Sequence, residues 1–467
     1  MRNLLAEYWE LHWPNKGTVK WAYIVRLFET QKSHYGVRLA NKLTSKHVNY
    51  KKNKMKVCLA TQLFSRSVSK SLVWCHEQKV PGFESKDVLV TSEFISLHND
   101  LFDILNSRAL AGRGLKAALT VDNLHIAQET FRKFENLYKV LEGPGGKKII
   151  HSRRKTGPLG FISCIKTAEK LVADMKNGSL PLQFLRFHKL QQDHLETWFS
   201  QIRQRNGWSY NPTALQFRFA YRTLLLHNGK TILRNGRPLS NGTNCIPQDE
   251  TFLLTVSKKA LFNARIMSES NDRPENVLNE TDETVIDKTI HEGCVIQDCV
   301  VCRASLAYIA GFYVRSLQKK IMCEECVGAL ESSDEDKCPD TSLIQLKNVY
   351  EGHLHVPSGS LCRLLYLNER VLRKNLTLVN SNTGDLEGKL LLKVLKEVND
   401  NEIFPILSVF HALETCEGID NHYLLLVQLV SRKYLRLRIK NILKDNARAR
   451  SLGNGNEMTR KRVIYHE

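Results

Sequence analysis

The most informative stretch of this 467-residue sequence reads Asp193-His-Leu-Glu-Thr-Trp-Phe-Ser-Gln-Ile-Arg203. Its apolar residues recur at helical spacing, so it predicts a helix that begins near Asp193. Asp193 and Glu196 are three residues apart and would lie on one face of that helix. Two carboxylates on one face can hold a divalent cation through oxygen ligands. The same spacing is a capping pattern at helix starts, so both interpretations remain open at this point.

Positive charge is concentrated in the first half of the chain. The formal net charge is +20, from 68 Lys and Arg against 48 Asp and Glu. Residues 1–250 contain 39 basic and 19 acidic residues, whereas residues 251–467 contain 29 of each. Local basic clusters lie at 51–56, 147–148 and 151–155. A basic surface can simply be solvated, but an excess this concentrated favours a polyanionic partner such as nucleic acid.

The composition argues against several broad classes of protein. With 42% hydrophobic residues the chain can bury real cores, unlike a disordered polymer. The N-terminus has no long apolar segment with a small-residue cleavage site, which argues against secretion. No apolar run approaches the roughly 18–20 residues of a membrane helix; the densest is 423–430. Twelve cysteines are too dilute for a disulfide scaffold, so we expect reduced thiols or metal ligands.

Apolar periodicity and chain breakers outline the organisation. Apolar residues at helical spacing predict helices within 92–105 and 121–140, and a long apolar and basic helix is expected near 421–445. Gly143-Pro-Gly-Gly146 interrupts the chain between units. The polar, acidic stretch 266–290 is the best candidate for a linker.

Gly229-Lys230-Thr231 matches only the end of a phosphate-binding P-loop. That motif requires another glycine five positions earlier, where this sequence has Leu224, and without it the backbone cannot form the anion-binding nest. Asn-Gly dipeptides begin at positions 228, 235 and 241 and are typical of turns. The sequence therefore predicts a hairpin turn at 228–229 and no standard P-loop.

Two Cys-x-x-Cys pairs raise the possibility of zinc. Cys299-Val-Val-Cys302 and Cys323-Glu-Glu-Cys326 have a spacing close to that of a zinc site. Between them, apolar residues at 306–317 predict a helix, and a straight 20-residue helix would separate its ends by roughly 30 Å. A single four-thiolate site therefore requires a shorter helix or a bend near Gly311. A local alternative site would consist of His291, Cys294, Cys299 and Cys302, and cysteines without metal are the third interpretation.

Several longer segments, in a consistent order, carry a resemblance to a known family. They are 54–68, 99–108, 155–161, 193–203 with 207 and 211–217, and 308–315 with 323–326. In this order they resemble the P-element-type DNA transposases, which include the THAP-domain transposases. The resemblance spans nearly the whole chain.

The resemblance implies an α/β fold with large α-helical parts. An RNase H-like domain in this family is split by a helical GTP-binding insertion domain. The chain would then contain that insertion, the C-terminal part of the RNase H-like domain and a mainly helical C-terminal region. The predicted boundaries are 1–140 for the insertion, 141–160 for a junction, 161–240 for the RNase H-like part, 241–290 for a linker and 291–467 for the Cys-containing domain.

The resemblance also implies catalytic residues. Glu196 matches the last acid of an Asp-Asp-Glu triad, so Glu196 and Asp193 become the expected catalytic and Mg²⁺-binding residues. Two metal ions about 4 Å apart would clamp the attacking and leaving oxygens of strand transfer. The first two aspartates of the family precede an Arg-Asn-Leu-Leu-like segment, and this chain begins at Met1-Arg-Asn-Leu-Leu5. We therefore expect an N-terminally truncated, catalytically incomplete chain without the zinc-binding THAP domain.

Carried over in the same way, the GTP-binding residues are Lys56, Val57, Phe102 and Asp103. An aspartate can accept both edge hydrogens of guanine, an aromatic ring can stack on the base, and a lysine can meet phosphate. Phe102 is equally explained as a core residue of its helix.

Two hypotheses of function follow. The first is a P-element-type transposase-derived nuclear protein whose partners are GTP and DNA, either transposon ends or DNA without sequence preference. This hypothesis allows a homo-oligomer and expects no membrane. The alternative is a noncatalytic, domesticated nuclear factor that binds DNA or a protein partner through the same basic surface.

Overall fold

The structure is a computed structural model, and it describes residues 1–34, 37–110, 112, 114–208, 211–235, 299–348, 354–376, 385–399, 402–405, 407 and 422–453. The predicted linker, His291 and Cys294 lie outside these residues. The side chains of Lys52, 226–235 and 444–453 also lie outside the description.

The described chain is mainly helical, with one short antiparallel hairpin. Its helices are α1 Arg2–Tyr8, α2 Trp21–Ser33, α3 Ser45–Val48, α4 Val57–Leu63, α5 Arg66–Glu77, α6 Asp87–Leu105, α7 Leu124–Val140, α8 Thr156–Lys176, α9 Asp193–Arg205, α10 Ala214–Asn235, α11 Val300–Leu317, α12 Glu324–Gly328, α13 Ser342–Lys347, α14 Gly359–Lys374, α15 Leu386–Glu397 and α16 His422–Gly453. Strands β1 Glu10–Trp13 and β2 Gly17–Lys20 pair with Leu11 opposite Val19, and both of these side chains are buried.

Packing divides the described chain into two compact units. The first contains Met1–Ser96, Leu141–Lys147 and the described residues from Cys299 onward. The second contains Leu97–Val140 and the described residues from Lys148 to Asn235. The chain passes from one unit to the other within α6. The domain boundaries expected from composition and resemblance remain predictions.

In the first unit, the N-terminal segment packs against C-terminal helices. Helix α13 lies on α5, where the Trp74 indole donates a hydrogen bond to Ser342 Oγ at 2.9 Å. Helix α14 contacts α11, α15 and α16, and its buried leucines belong to one continuous apolar cluster with those helices. This unit therefore joins segments that are distant in sequence through a shared core.

Helix α11 supplies much of that core. Its residues Leu306, Tyr313 and Leu317 are buried, as the predicted helical stripe requires. By length and mean hydropathy (1.2) the helix could also cross a membrane, which corrects the expectation that no apolar run approaches that length. However, 61% of it is buried inside the unit, as in the core helix of a folded domain.

The second unit is built around α7 and α8. Phe134 and Phe161 meet edge to face with ring centroids 5.6 Å apart, and Lys166 Nζ lies 2.9 Å from the Glu135 carboxylate. Inside the unit, His98 Nε2 and the buried Tyr138 hydroxyl lie 2.7 Å apart. These contacts order the helices that precede the acidic stretch at α9.

Most helices follow the sequence predictions, with one clear exception. Helices α6, α7 and α16 lie in the segments predicted from apolar periodicity, although α7 begins only at Leu124 and not at residue 121. Gly145 and Gly146 adopt φ values of +79° and +71°, so the predicted chain breaker is confirmed. The predicted hairpin turn at 228–229 is wrong, because α10 continues through it to Asn235. Leu224 packs with Ile202 of α9, and one internal glycine costs a helix only roughly 1 kcal/mol.

Candidate functional site

The acidic pair lies at the start of α9. Asp193 is the first residue of the helix, Gln192 occupies the cap position, and no side chain caps the helix there. Asp193 and Glu196 are both exposed. The structure thus favours an exposed carboxylate pair over the capping interpretation. Among the described residues, neither acid joins a group of three potential metal ligands with donor atoms within 4.8 Å.

The helices that carry the pair have a small core. Ile202 packs with Ala220 and Leu224 of α10, and Trp198 covers this cluster. Of the predicted apolar stripe on α9, only Ile202 is buried, whereas Leu195 and Phe199 are 59% and 46% exposed. The acids therefore lie on a helix pair that presents large apolar side chains to solvent.

The expected GTP contacts fall into two places. Lys56 and Val57 are exposed at the start of α4, in the first unit. Phe102 and Asp103 are half-buried near the end of α6, in the second unit. Asp103 Oδ2 accepts a hydrogen bond from Asn99 Nδ2 at 3.1 Å and lies 3.8 Å from Lys116 Nζ. These contacts hold the carboxylate of Asp103 in a defined orientation.

A basic segment precedes α8. Lys147, Lys148, Arg153, Arg154 and Lys155 are all exposed. The buried Ile149 and Ser152 fix this segment to the protein between the charged side chains. The predicted basic cluster is therefore a surface feature on an ordered backbone.

The two Cys-x-x-Cys pairs form separate clusters, each completed by a histidine. Cys299 and Cys302 lie with His34, and all three ligand atoms are within 4.8 Å of one another. Cys323 and Cys326 form an equivalent group with His422. In both pairs, the first cysteine is the N-cap of a helix, α11 or α12.

This arrangement disagrees with a single four-cysteine site, which was one of the three interpretations of the sequence. Helix α11 is continuous between the pairs, so it keeps them apart. Gly311, where a bend was considered, instead leaves space for neighbouring backbone. A Cβ at this position would lie 2.4 Å from the His355 carbonyl oxygen. The glycine lets α11 approach the neighbouring backbone closely.

Electrostatics distinguish the two thiols of the first pair. The hydrogen bond from Cys302, assisted by His34, lowers the pKa of Cys299 to about 3 despite its partial burial. The same hydrogen bond, together with burial, raises the pKa of Cys302. The pair therefore carries its negative charge on Cys299, next to the imidazole. In the second pair, burial and the bond to Cys323 raise the pKa of Cys326 to about 12.

Comparison with known proteins places these features in a family. Three family models match, in chain order: the TNP-like GTP-binding insertion domain at residues 1–118, the TNP-like RNase H C-terminal domain at 188–222, and the C-terminal domain of DNA transposase THAP9 at 296–444. The chain is 27% identical to DNA transposase THAP9 of Homo sapiens over 462 residues, which is 95% of this chain and 48% of that protein. This chain is similar, domain by domain, to the P-element-like transposases.

Other similarities are more limited. The Transposable element P transposase of Drosophila melanogaster is 26% identical over 189 residues, covering 40% of this chain and 24% of that protein. A solved structure, the Drosophila P element transposase strand transfer complex, matches at 23% identity with a TM-score of 0.38 over 50% of each chain. The chain thus spans about half the length or less of the relatives it matches.

The family matches confirm the predicted fold class of this P-element-like chain. A GTP-binding insertion domain precedes the RNase H C-terminal part, which contains α9 and the pair Asp193 and Glu196. The C-terminal match contains both Cys-x-x-Cys pairs. The transposase-derived nature of the chain is likewise confirmed.

The sequence did not reveal three residues that lie beside the cysteines in this P-element-like chain. His34 and His422 are distant in sequence from the thiols they meet. Arg373 donates a hydrogen bond to Cys302 Sγ at 3.3 Å. No spacing rule links these positions, because the contacts arise only when α2, α14 and α16 pack beside α11 and α12.

Proposed function

We propose that this protein is a transposase-derived DNA-binding protein that acts in the nucleus. The observation that carries the proposal is the alignment of 95% of the chain with a DNA transposase. Because that alignment covers 48% of the relative, the transposase activity in the relative's name is not attributed to this chain. DNA binding is the part of the function for which this chain has its own physical basis.

That basis is the exposed basic segment between residues 147 and 155. Its side chains lie in the half of the chain that holds the whole net positive charge. Lysine and arginine on an ordered surface can each neutralise a backbone phosphate and release condensed counterions. Such contacts position DNA without reading its sequence. We therefore propose binding to DNA without strong sequence preference.

Salt dependence tests this proposal. The affinity of the full chain for an unrelated duplex should fall with salt at a log–log slope of about −0.9 per phosphate contacted. Replacing Lys148, Arg153 and Lys155 by Gln should reduce the magnitude of that slope by up to about 2.7. Binding is measured by fluorescence anisotropy over a series of salt concentrations.

A charge-matched variant controls for net charge. Arg315, Lys319 and Lys320 are also exposed but belong to the electrically neutral half of the chain. Replacing these three by Gln should leave the slope unchanged. Affinity that is independent of salt, or an equal effect of both triple variants, would contradict the proposed surface.

GTP binding is proposed as a second property, because the GTP-binding insertion model matches residues 1–118. The half-buried Phe102 offers an aromatic ring, and the held carboxylate of Asp103 offers acceptors that suit the guanine edge. Lys56 and Val57 are exposed in the other compact unit, and their assignment to GTP rests on the family resemblance alone.

The acidic pair supplies too few ligands for a two-metal centre. A two-metal centre needs several bridging and terminal carboxylates. Asp193 and Glu196 are two exposed acids without a third ligand nearby among the described residues, so on their own they do not fit such a centre. We propose that they contribute metal ligands only together with further acids, and that this chain by itself cuts no DNA.

A further inference from the structure

We propose that His34, Cys299 and Cys302 bind a zinc ion that joins the N-terminal segment to the C-terminal region. The three donor atoms come from two places in the sequence and converge within 4.8 Å. His34 follows α2 within the match to the GTP-binding insertion, whereas the cysteines begin α11 within the C-terminal match. All three residues belong to the first compact unit.

The donor set suits zinc. Two thiolates and one imidazole are borderline-soft ligands, and zinc binds such combinations in tetrahedral geometry. Two thiolates also balance the double positive charge of the ion. Three protein donors leave the fourth tetrahedral position for a water molecule or another ligand.

The imidazole of His34 is held in a tautomer that can bind metal. Its Nδ1 lies 2.5 Å from the carbonyl oxygen of Thr30, so Nδ1 must carry the proton in this contact. In the neutral ring, the lone pair is then on Nε2. A bond from the other ring nitrogen to a backbone carbonyl is the usual way in which a metal-binding histidine is oriented.

Hydrogen-bond donors also lie beside both thiols. The backbone N–H of Cys302 donates to Cys299 Sγ at 3.4 Å. The guanidinium of Arg373 donates to Cys302 Sγ at 3.3 Å. Each sulfur therefore has its own hydrogen-bond donor, and such contacts disperse the charge of metal-bound thiolates.

A redox disulfide is the main competing use of a Cys-x-x-Cys pair at a helix start. It requires only the two sulfurs, whereas here a histidine from a distant segment joins them. The same combination of two cysteines and one histidine occurs again at Cys323, Cys326 and His422. In contrast, the buried sulfurs of Cys338 and Cys362 lie 2.9 Å apart and, among the described residues, belong to no such group.

The test compares zinc content between variants of the full chain. Cys299→Ser is the sharpest change, because serine is a favourable N-cap and preserves the start of α11 while removing the thiolate. Cys299→Ser and His34→Asn should each bind one zinc ion fewer per chain than the unmodified protein. Cys338→Ser, which removes a thiol of the same unit outside this cluster, should lose none. Zinc is measured by elemental analysis after purification under reducing conditions.

Two further measurements separate metal binding from folding and from redox chemistry. Cobalt substitution should give a thiolate-to-metal charge-transfer band that weakens in Cys299→Ser and persists in Cys338→Ser. Chelation should expose Cys299 and Cys302 to alkylation in the unmodified chain, as located by mass spectrometry. Equal zinc content in Cys299→Ser and the unmodified chain would overturn the proposal. So would exposure of these cysteines by a reductant instead of a chelator, because that result identifies a disulfide.

Discussion

Arg438 and Glu369 form a bidentate ion pair inside the core of the first unit. Nε and Nη2 of Arg438 each donate to a different oxygen of Glu369, both at 2.8 Å. Glu369 is fully buried and Arg438 is 2% exposed. Arg373 and the Tyr434 hydroxyl also donate to this carboxylate, at 3.0 and 2.6 Å. Arg373 also donates to Cys302 Sγ, so it links the ion pair to the cluster of His34, Cys299 and Cys302.

We predict that Glu369→Gln destabilises the protein by about 3–5 kcal/mol, since the substitution leaves buried arginines without their counter-charge. Burial would raise the pKa of Glu369, but the nearby Arg438 and Arg373 overcome this effect and lower it to about 2, from an ordinary value of 4.5. The stabilisation is therefore present above pH 4.5 and is lost as the pH falls towards 2. Urea unfolding over this range measures both effects.

An exposed pair provides the control. Arg370 and Glu397 lie 3.1 Å apart with side chains 48% and 37% exposed, so Glu397→Gln should cost at most about 1 kcal/mol. If Glu369→Gln kept the stability of the unmodified protein and its dependence on acidic pH, the pair would not be a determinant of this core.

Gly311→Ala should destabilise the first unit by about 1–3 kcal/mol, because overpacking forces shifts of neighbouring atoms. The added Cβ would meet the His355 carbonyl oxygen at 2.4 Å, and a backbone atom cannot move aside cheaply. Gly328→Ala is the matched control, since nothing lies within 4 Å of the position that its methyl group would occupy. Thermal unfolding should show a lower midpoint for the first variant only; equal midpoints would argue against close packing at Gly311.

Asp103→Asn should remove the preference for GTP over ATP. A charge-assisted hydrogen bond contributes about 1.5–3 kcal/mol, and the amide can no longer accept two hydrogens from guanine. Calorimetric titration with both nucleotides measures the change, and Asp100→Asn on the same helix serves as the control. Unchanged affinity and preference in Asp103→Asn would show that this residue does not read the base.

Residues 1–467 should show no Mg²⁺-dependent cleavage or strand transfer on labelled DNA, and Glu196→Gln should therefore have no effect on the chain by itself. Joining an upstream segment that supplies two further aspartates should create activity, which Glu196→Gln then abolishes because an amide is not an anionic metal ligand.

Activity of residues 1–467 that depends on Glu196 would mean that other acids complete the centre. Activity in the extended protein that survives Glu196→Gln would remove the assigned role.

Local physical rules account for what could be read from the sequence. Apolar spacing of 3.6 residues requires no distant partner, and it correctly predicted α6, α7 and α16. Gly145 and Gly146 marked a chain break for an equally local reason, because glycine accepts positive φ at little steric cost. The long motifs around Asp193 identified the family, and the family models confirmed it.

The local rule failed at Asn228-Gly229. This dipeptide favours a turn when it is considered by itself. In the folded chain, Leu224 packs on α9 and α10 continues to Asn235. The helix therefore continues through the two residues despite their local preference for a turn.

Only the tertiary structure decided which charged and metal-binding groups meet. The sequence showed two Cys-x-x-Cys pairs, but packing separated them along α11 and brought His34 to one and His422 to the other. It also placed Arg438 against Glu369 in the core. Such contacts depend on the angles and distances between packed helices, and spacing along the chain carries no information about them. The sequence thus determined the helices, the charge distribution and the family, whereas packing selected the partners of each buried polar group.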